Sequence, residues 1–66
     1  MPIVTVFAGS FDGGDEIGDF EFPQVPQIGD EVSIRSTRRF KVGAVHYHAY
    51  EESRVIARVL LPDFEF

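Results

Sequence analysis

The sequence predicts an all-β fold, a single small five-stranded antiparallel barrel spanning residues 1–66. Three observations predict it. β-Branched and aromatic residues cluster in short runs, as in Ile3-Val4-Thr5-Val6-Phe7. Glycine and proline punctuate those runs at short intervals. No window of a dozen residues keeps apolar residues at the i, i+3, i+4, i+7 spacing of a helix. Closing such a sheet into a barrel also removes its exposed edges.

Ile3 to Phe7 is the first strand. Phe11-Asp12-Gly13-Gly14-Asp15 is a turn, because adjacent glycines oppose both helix and strand. Ile17 to Phe22 is the second strand. Gly18, Phe20 and Phe22 share one of its faces, and Asp19 and Glu21 the other, as in a half-buried strand with an acidic outside. Pro23 and Pro26 cannot donate ladder hydrogen bonds and interrupt the sheet. Gly29-Asp30 turns the chain into a third strand, Glu31 to Arg35, with Val32 and Ile34 inward. Ser36-Thr37-Arg38 is a short hairpin connection.

Arg39 to Tyr50 is the fourth and longest strand. Strict alternation would place Phe40, Val42, Ala44, His46 and His48 on one face. A bulge at Gly43 instead turns Phe40, Val42, Val45 and Tyr47 to the core, and His46 and His48 to solvent. The bulged register is adopted, because a small barrel needs its long strand to bend. Glu51-Glu52-Ser53 is the next turn, and Arg54 to Leu61 the fifth strand, ended by Pro62. That strand is apolar on both faces, with Val55, Ala57, Val59 and Leu61 on one and Ile56 and Leu60 on the other. The expected core is Val4, Val6, Phe20, Phe22, Val32, Ile34, Phe40, Val42, Val45, Val55, Ala57 and Val59.

The segment Val25-Pro26-Gln27-Ile28-Gly29-Asp30-Glu31-Val32-Ser33-Ile34, with Phe40-Lys41-Val42-Gly43-Ala44-Val45-His46 after it, carries a P-x-x-G-[DE]-x-V turn and an aromatic-x-V-x-x-V strand. This pattern resembles small SH3-like β-barrel proteins of bacteria and phages. It covers about a third of the chain. The resemblance implies an SH3-like barrel that binds RNA, DNA or protein rather than catalysing a reaction, and it transfers no site residues. Fold by itself assigns no function.

Length and composition narrow the rest. A chain of 66 residues buries only about 60% of the surface its unfolded form exposes. It has no cysteine, so neither disulfide nor thiolate zinc site can staple it. Its seven Phe and two Tyr must supply much of the core. The opening MPIVTVFAGSF has neither the basic start nor the long apolar stretch of a secretory signal, and no apolar run is long enough for a membrane span. A cytoplasmic protein is the expectation.

The net charge of −5 is unevenly laid out. Residues 1–34 carry seven acids and no base, and residues 35–66 carry six bases and four acids, giving −7 and +2. One reading is mutual neutralisation between adjacent strands. The other is an acidic face kept for a basic partner. Arg35, Arg38, Arg39 and Lys41 cluster on one hairpin, with Tyr47 and Tyr50 further along the next strand. Basic and aromatic residues together can follow a phosphate backbone and stack bases, although the acidic half opposes this. Asp12, Asp15, Glu16, Asp19 and Glu21 could imitate DNA phosphates toward a basic enzyme. His46 and His48, at i, i+2, share a strand face and offer two metal ligands, with Glu51 and Glu52 as the nearest further donors. Two histidines do not make a site, and no cofactor is expected.

Catalysis is not expected. There is no cysteine, no serine in a nucleophile elbow and no phosphate-cradling loop. The expected function is a non-enzymatic module that binds another protein, with self-association through strand one or five as one form of this. Nucleic-acid binding through Arg35–Lys41 and an acidic DNA mimic are the alternatives.

Overall fold

The computed structural model describes residues 1–48 and 55–64, and among these the fold is all-β with no helix. Six strands form, not five: β1 (Ile3–Ala8), β2 (Asp15–Glu21), β3 (Glu31–Val32), β4 (Phe40–Lys41), β5 (Ala44–Tyr47) and β6 (Val55–Leu61). One sheet has the order β2-β1-β6-β5, and β3 pairs with β4 in a second. The expected turn Glu51-Glu52-Ser53 and Tyr50 lie outside the described residues.

The extra strand comes from the expected fourth strand, which divides at Val42-Gly43. Val42 N donates to Asp30 O at 2.9 Å, and Val42 O accepts from Gly29 N at 3.0 Å, which extends the β3–β4 pairing. One residue later, Gly43 N donates to Leu60 O at 2.9 Å, which begins the β5–β6 pairing. The chain thus leaves one sheet and enters the other within a single peptide. Glycine is needed at the crossing, because a Cβ there would lie 2.8 and 2.9 Å from Cγ and Cδ of Pro62.

Two further corrections concern topology. β1 pairs with β2 and β5 with β6 antiparallel, but β1 and β6 run parallel, so the fold is mixed. Counting β4 and β5 as one bent strand, neighbours follow the path β2-β1-β6-β5/β4-β3. The ladders do not join β3 to β2, so the expected barrel is left open. The cause is local. β3 ends after two residues, and Arg35 sits in the left-handed region at φ 58°. That conformation turns the chain away from the extended path a closing strand would need.

The core is Val4, Val6, Ala8, Val32, Ile34, Phe40, Val42, Ala57, Val59 and Leu61. Ile17, Phe20, Phe22, Val25, Val45 and Phe64 pack against it in part. Alternation along β1 and β6 explains this: Val4, Val6 and Ala8 point the same way as their register partners Ala57, Val59 and Leu61. Val55 is only half-buried. Tyr47, expected inside, is 57% exposed. It lies on edge strand β5, and its phenolic oxygen accepts from Gln27 Nε2 at 2.9 Å in the connection before β3. Val42 and Val45 both turn inward, as the bulged register requires, and His46 is exposed, whereas His48 is half-buried.

The Pro26–Asp30 turn works as its residues suggest. Asp30 Oδ2 accepts from Gln27 N at 2.9 Å, and Asp30 N donates to Gln27 O at 2.9 Å. An aspartate bonding its own turn backbone closes the turn, and the two bonds of Gly29 and Asp30 to Val42 tie it to the next strand.

Candidate interaction surface

The four-stranded sheet has one face on the core and one facing away. Directly paired residues share a face, so the register defines the outer rows. One row is Asp19–Thr5–Arg58–His46, across β2, β1, β6 and β5. The next is Glu16–Phe7–Leu60–Ala44. Each row begins with an acid on β2, and the first continues to Arg58 on β6 and His46 on β5.

Thr5 anchors the first row. It lies on the outer face and yet is only 7% exposed. Its hydroxyl donates to Asp19 Oδ1 at 2.6 Å, which satisfies the oxygen that burial takes from water.

Arg58 is the best-held cation on this face. Its Nε donates to His46 Nδ1 at 3.1 Å, and Nη2 lies 2.8 Å from the same nitrogen. Guanidinium only donates, so Nδ1 is the acceptor and the ring proton sits on Nε2. The Arg58 guanidinium carbon is 5.7 Å from the Phe7 ring centre and 5.1 Å from that of Phe11. Those rings meet edge to face at 5.5 Å, and Phe11 is 6.5 Å from the His46 ring. Ile56, 41% exposed, continues the apolar part of the face along β6.

Sequence reasoning missed Arg58, Phe7 and Phe11 as a group. The signal was present: Arg58 interrupts the apolar alternation Ile56-Leu60 on the second face of its strand. An arginine there needs rings or acceptors beside it.

The basic hairpin is drawn onto its own chain. Arg35 lies 5.4 Å from the Phe20 ring centre and Arg38 5.2 Å from that of Phe40. Arg39 Nε is 4.0 Å from Glu31 Oε2, and Lys41 is the register partner of Glu31. Neutralisation between the halves therefore occurs at β3–β4. The acids Asp12, Asp15, Glu16, Asp19 and Glu21 are all exposed, and the last four lie on edge strand β2.

The rings of His46 and His48 stand 6.2 Å apart at 32°. Among the described residues no three His, Cys, Asp or Glu side chains are grouped as metal ligands. Glu51 and Glu52 lie outside those residues. No helix among the described residues is long and apolar enough to cross a membrane. No known protein family, curated protein or solved structure matches this chain.

Proposed function

We propose that this chain is a non-enzymatic protein-interaction module that binds through the outer face of its four-stranded sheet. The observation that carries the reading is Arg58, fixed at once by Phe7, Phe11 and His46 beside the apolar Ile56 and Leu60. Arginine and aromatic residues supply a large share of binding energy at protein interfaces. A side chain already held in one orientation loses less freedom when a partner arrives. β1 and β6 are interior strands, so a partner meets them across the face and not along an edge.

The test is capture of a partner from native cell extract by wild type and by single variants. Phe11→Asp and Ile56→Asp should lose the captured protein. Lys41→Glu, on the second sheet, should keep it. Circular dichroism establishes that each variant is folded. Identical capture by all three folded variants refutes the reading.

A second reading draws on the row of exposed carboxylates along β2. Imitation of DNA phosphates predicts competition with duplex DNA for a basic enzyme. Glu16→Gln and Glu21→Gln should together weaken it, and unchanged competition excludes this use of the edge. The hairpin Arg35–Lys41 is the weaker basis for a nucleic-acid surface, since Phe20, Phe40 and Glu31 already hold three of its cations.

A further inference from the structure

We infer that the partner of the outer face is a second copy of this chain, turned by a two-fold axis running parallel to the strands. The inference rests on the outer face being the binding surface.

The charge layout carries it. The row Asp19–Thr5–Arg58–His46 is acidic at its β2 end, and the Arg58 guanidinium, bonded to His46, sets the positive charge toward its β5 end. Its ends are three strand spacings apart, about 14 Å. Two such faces can meet with the axis along or across the strands. An axis across the strands sets β2 acids against β2 acids, and like charges facing one another oppose association. An axis along the strands, centred between β1 and β6, reverses the order of strands in the facing copy. Asp19 then approaches the partner copy's His46, and Glu16 approaches the partner copy's Ala44. Arg58 comes over the middle of the facing row, between its own ring pair and the facing Thr5. Only this orientation makes the face its own complement, which is what an isologous interface requires.

Size sets the strength. Four strands about 4.8 Å apart and some six residues long give a footprint of roughly 350–400 Å² per copy. Stable dimers use about 800 Å² per partner. The dimer is therefore weak and populated only at high concentration, since two copies of net charge −5 also repel one another.

The absence of cysteine allows a direct test. Glu16→Cys and Ala44→Cys, each the sole thiol of its chain, are mixed at millimolar concentration and treated with a short bis-maleimide. Cross-linking between the two variants should exceed cross-linking within either variant alone several-fold. Light scattering of the wild-type chain should rise from 7.4 kDa toward twice that value as concentration is raised into the millimolar range. Glu16→Lys/Glu21→Lys should be monomeric alone, and so should Arg58→Glu. Glu16→Lys/Glu21→Lys mixed with Ala44→Glu should form a heterodimer, because Glu16→Lys then faces Ala44→Glu; no heterodimer from this mixture, with both variants folded by circular dichroism, overturns the axis. Cross-links predominantly within one variant overturn the axis. A strict monomer at millimolar concentration overturns self-association. Capture of a different protein that Phe11→Asp and Ile56→Asp abolish leaves the surface in place and removes only the second copy as its occupant.

Discussion

Gly43→Ala tests how the two sheets are joined. The added Cβ would stand 2.8 Å from Pro62 Cγ and 2.9 Å from Pro62 Cδ, both in a rigid ring. Overpacking of this kind costs about 1–3 kcal/mol. Gly43 is not among the positive-φ residues, so alanine fits its backbone and returns about 0.4–1 kcal/mol by restricting the unfolded chain. The net expectation is a loss of about 1–2 kcal/mol. A domain of this length has an unfolding entropy near 0.14 kcal/mol/K, so each kcal/mol shifts Tm by about 7 °C. Thermal unfolding followed by circular dichroism should therefore show Tm lower by roughly 7–15 °C. The cause is isolated by repeating the substitution in a Pro62→Ala background, where Cγ and Cδ are gone. There Gly43→Ala should be neutral or slightly stabilising. An equal loss in both backgrounds refutes the steric account of why the chain can cross between sheets at Gly43.

Substitutions at three further positions follow from the packing. Leu61→Ala removes a side chain with no exposed surface and should cost about 2–5 kcal/mol, enough to leave much of so small a domain unfolded at 37 °C by chemical denaturation. Arg35→Gly relieves a left-handed backbone while losing the contact over Phe20, two effects of about 1 kcal/mol that oppose one another, so Tm should barely move. Arg35→Val loses the contact and keeps the strain, and should unfold at least 7 °C lower by the same conversion; equal Tm values for the two variants would count against strain at this position. Thr5→Val keeps the shape and removes the donor to Asp19, and urea titration should show a loss of about 1 kcal/mol.

The strands themselves were legible in the sequence because their cause is local: Ile3 to Ala8 and Val55 to Leu61 are β-branched apolar runs. Their inward faces were harder to read, since both faces of each run are apolar and only Thr5 and Arg58 mark the outer side. The glycine bend was legible because its cause is local too, and it correctly set Val42 and Val45 inward and His46 outward. The partnering of strands was not. Whether the first strand lies parallel or antiparallel to the last depends on the path of everything between them, and no residue in either strand encodes it. Tyr47 shows a related limit. Alternation gives the side of the sheet but not the distance from its edge, and at an edge a large ring need not be covered. The candidate site failed to appear for a third reason. Phe7, Phe11, His46 and Arg58 lie on three strands and a turn, and only register brings them together.

The parallel pairing of β1 with β6 has a consequence for how the chain reaches its fold. Ile3 meets Val55, and Ala8 meets Leu61, across more than fifty intervening residues. Contacts that distant form late and slow folding, because a long loop must close before any of them is rewarded. During synthesis the first strand emerges early and can find only β2. Its other edge, rich in valine, stays open until residues 55–61 have been made. The most buried strand of the finished protein is therefore the one exposed longest during its making, and misassembly is expected to begin there.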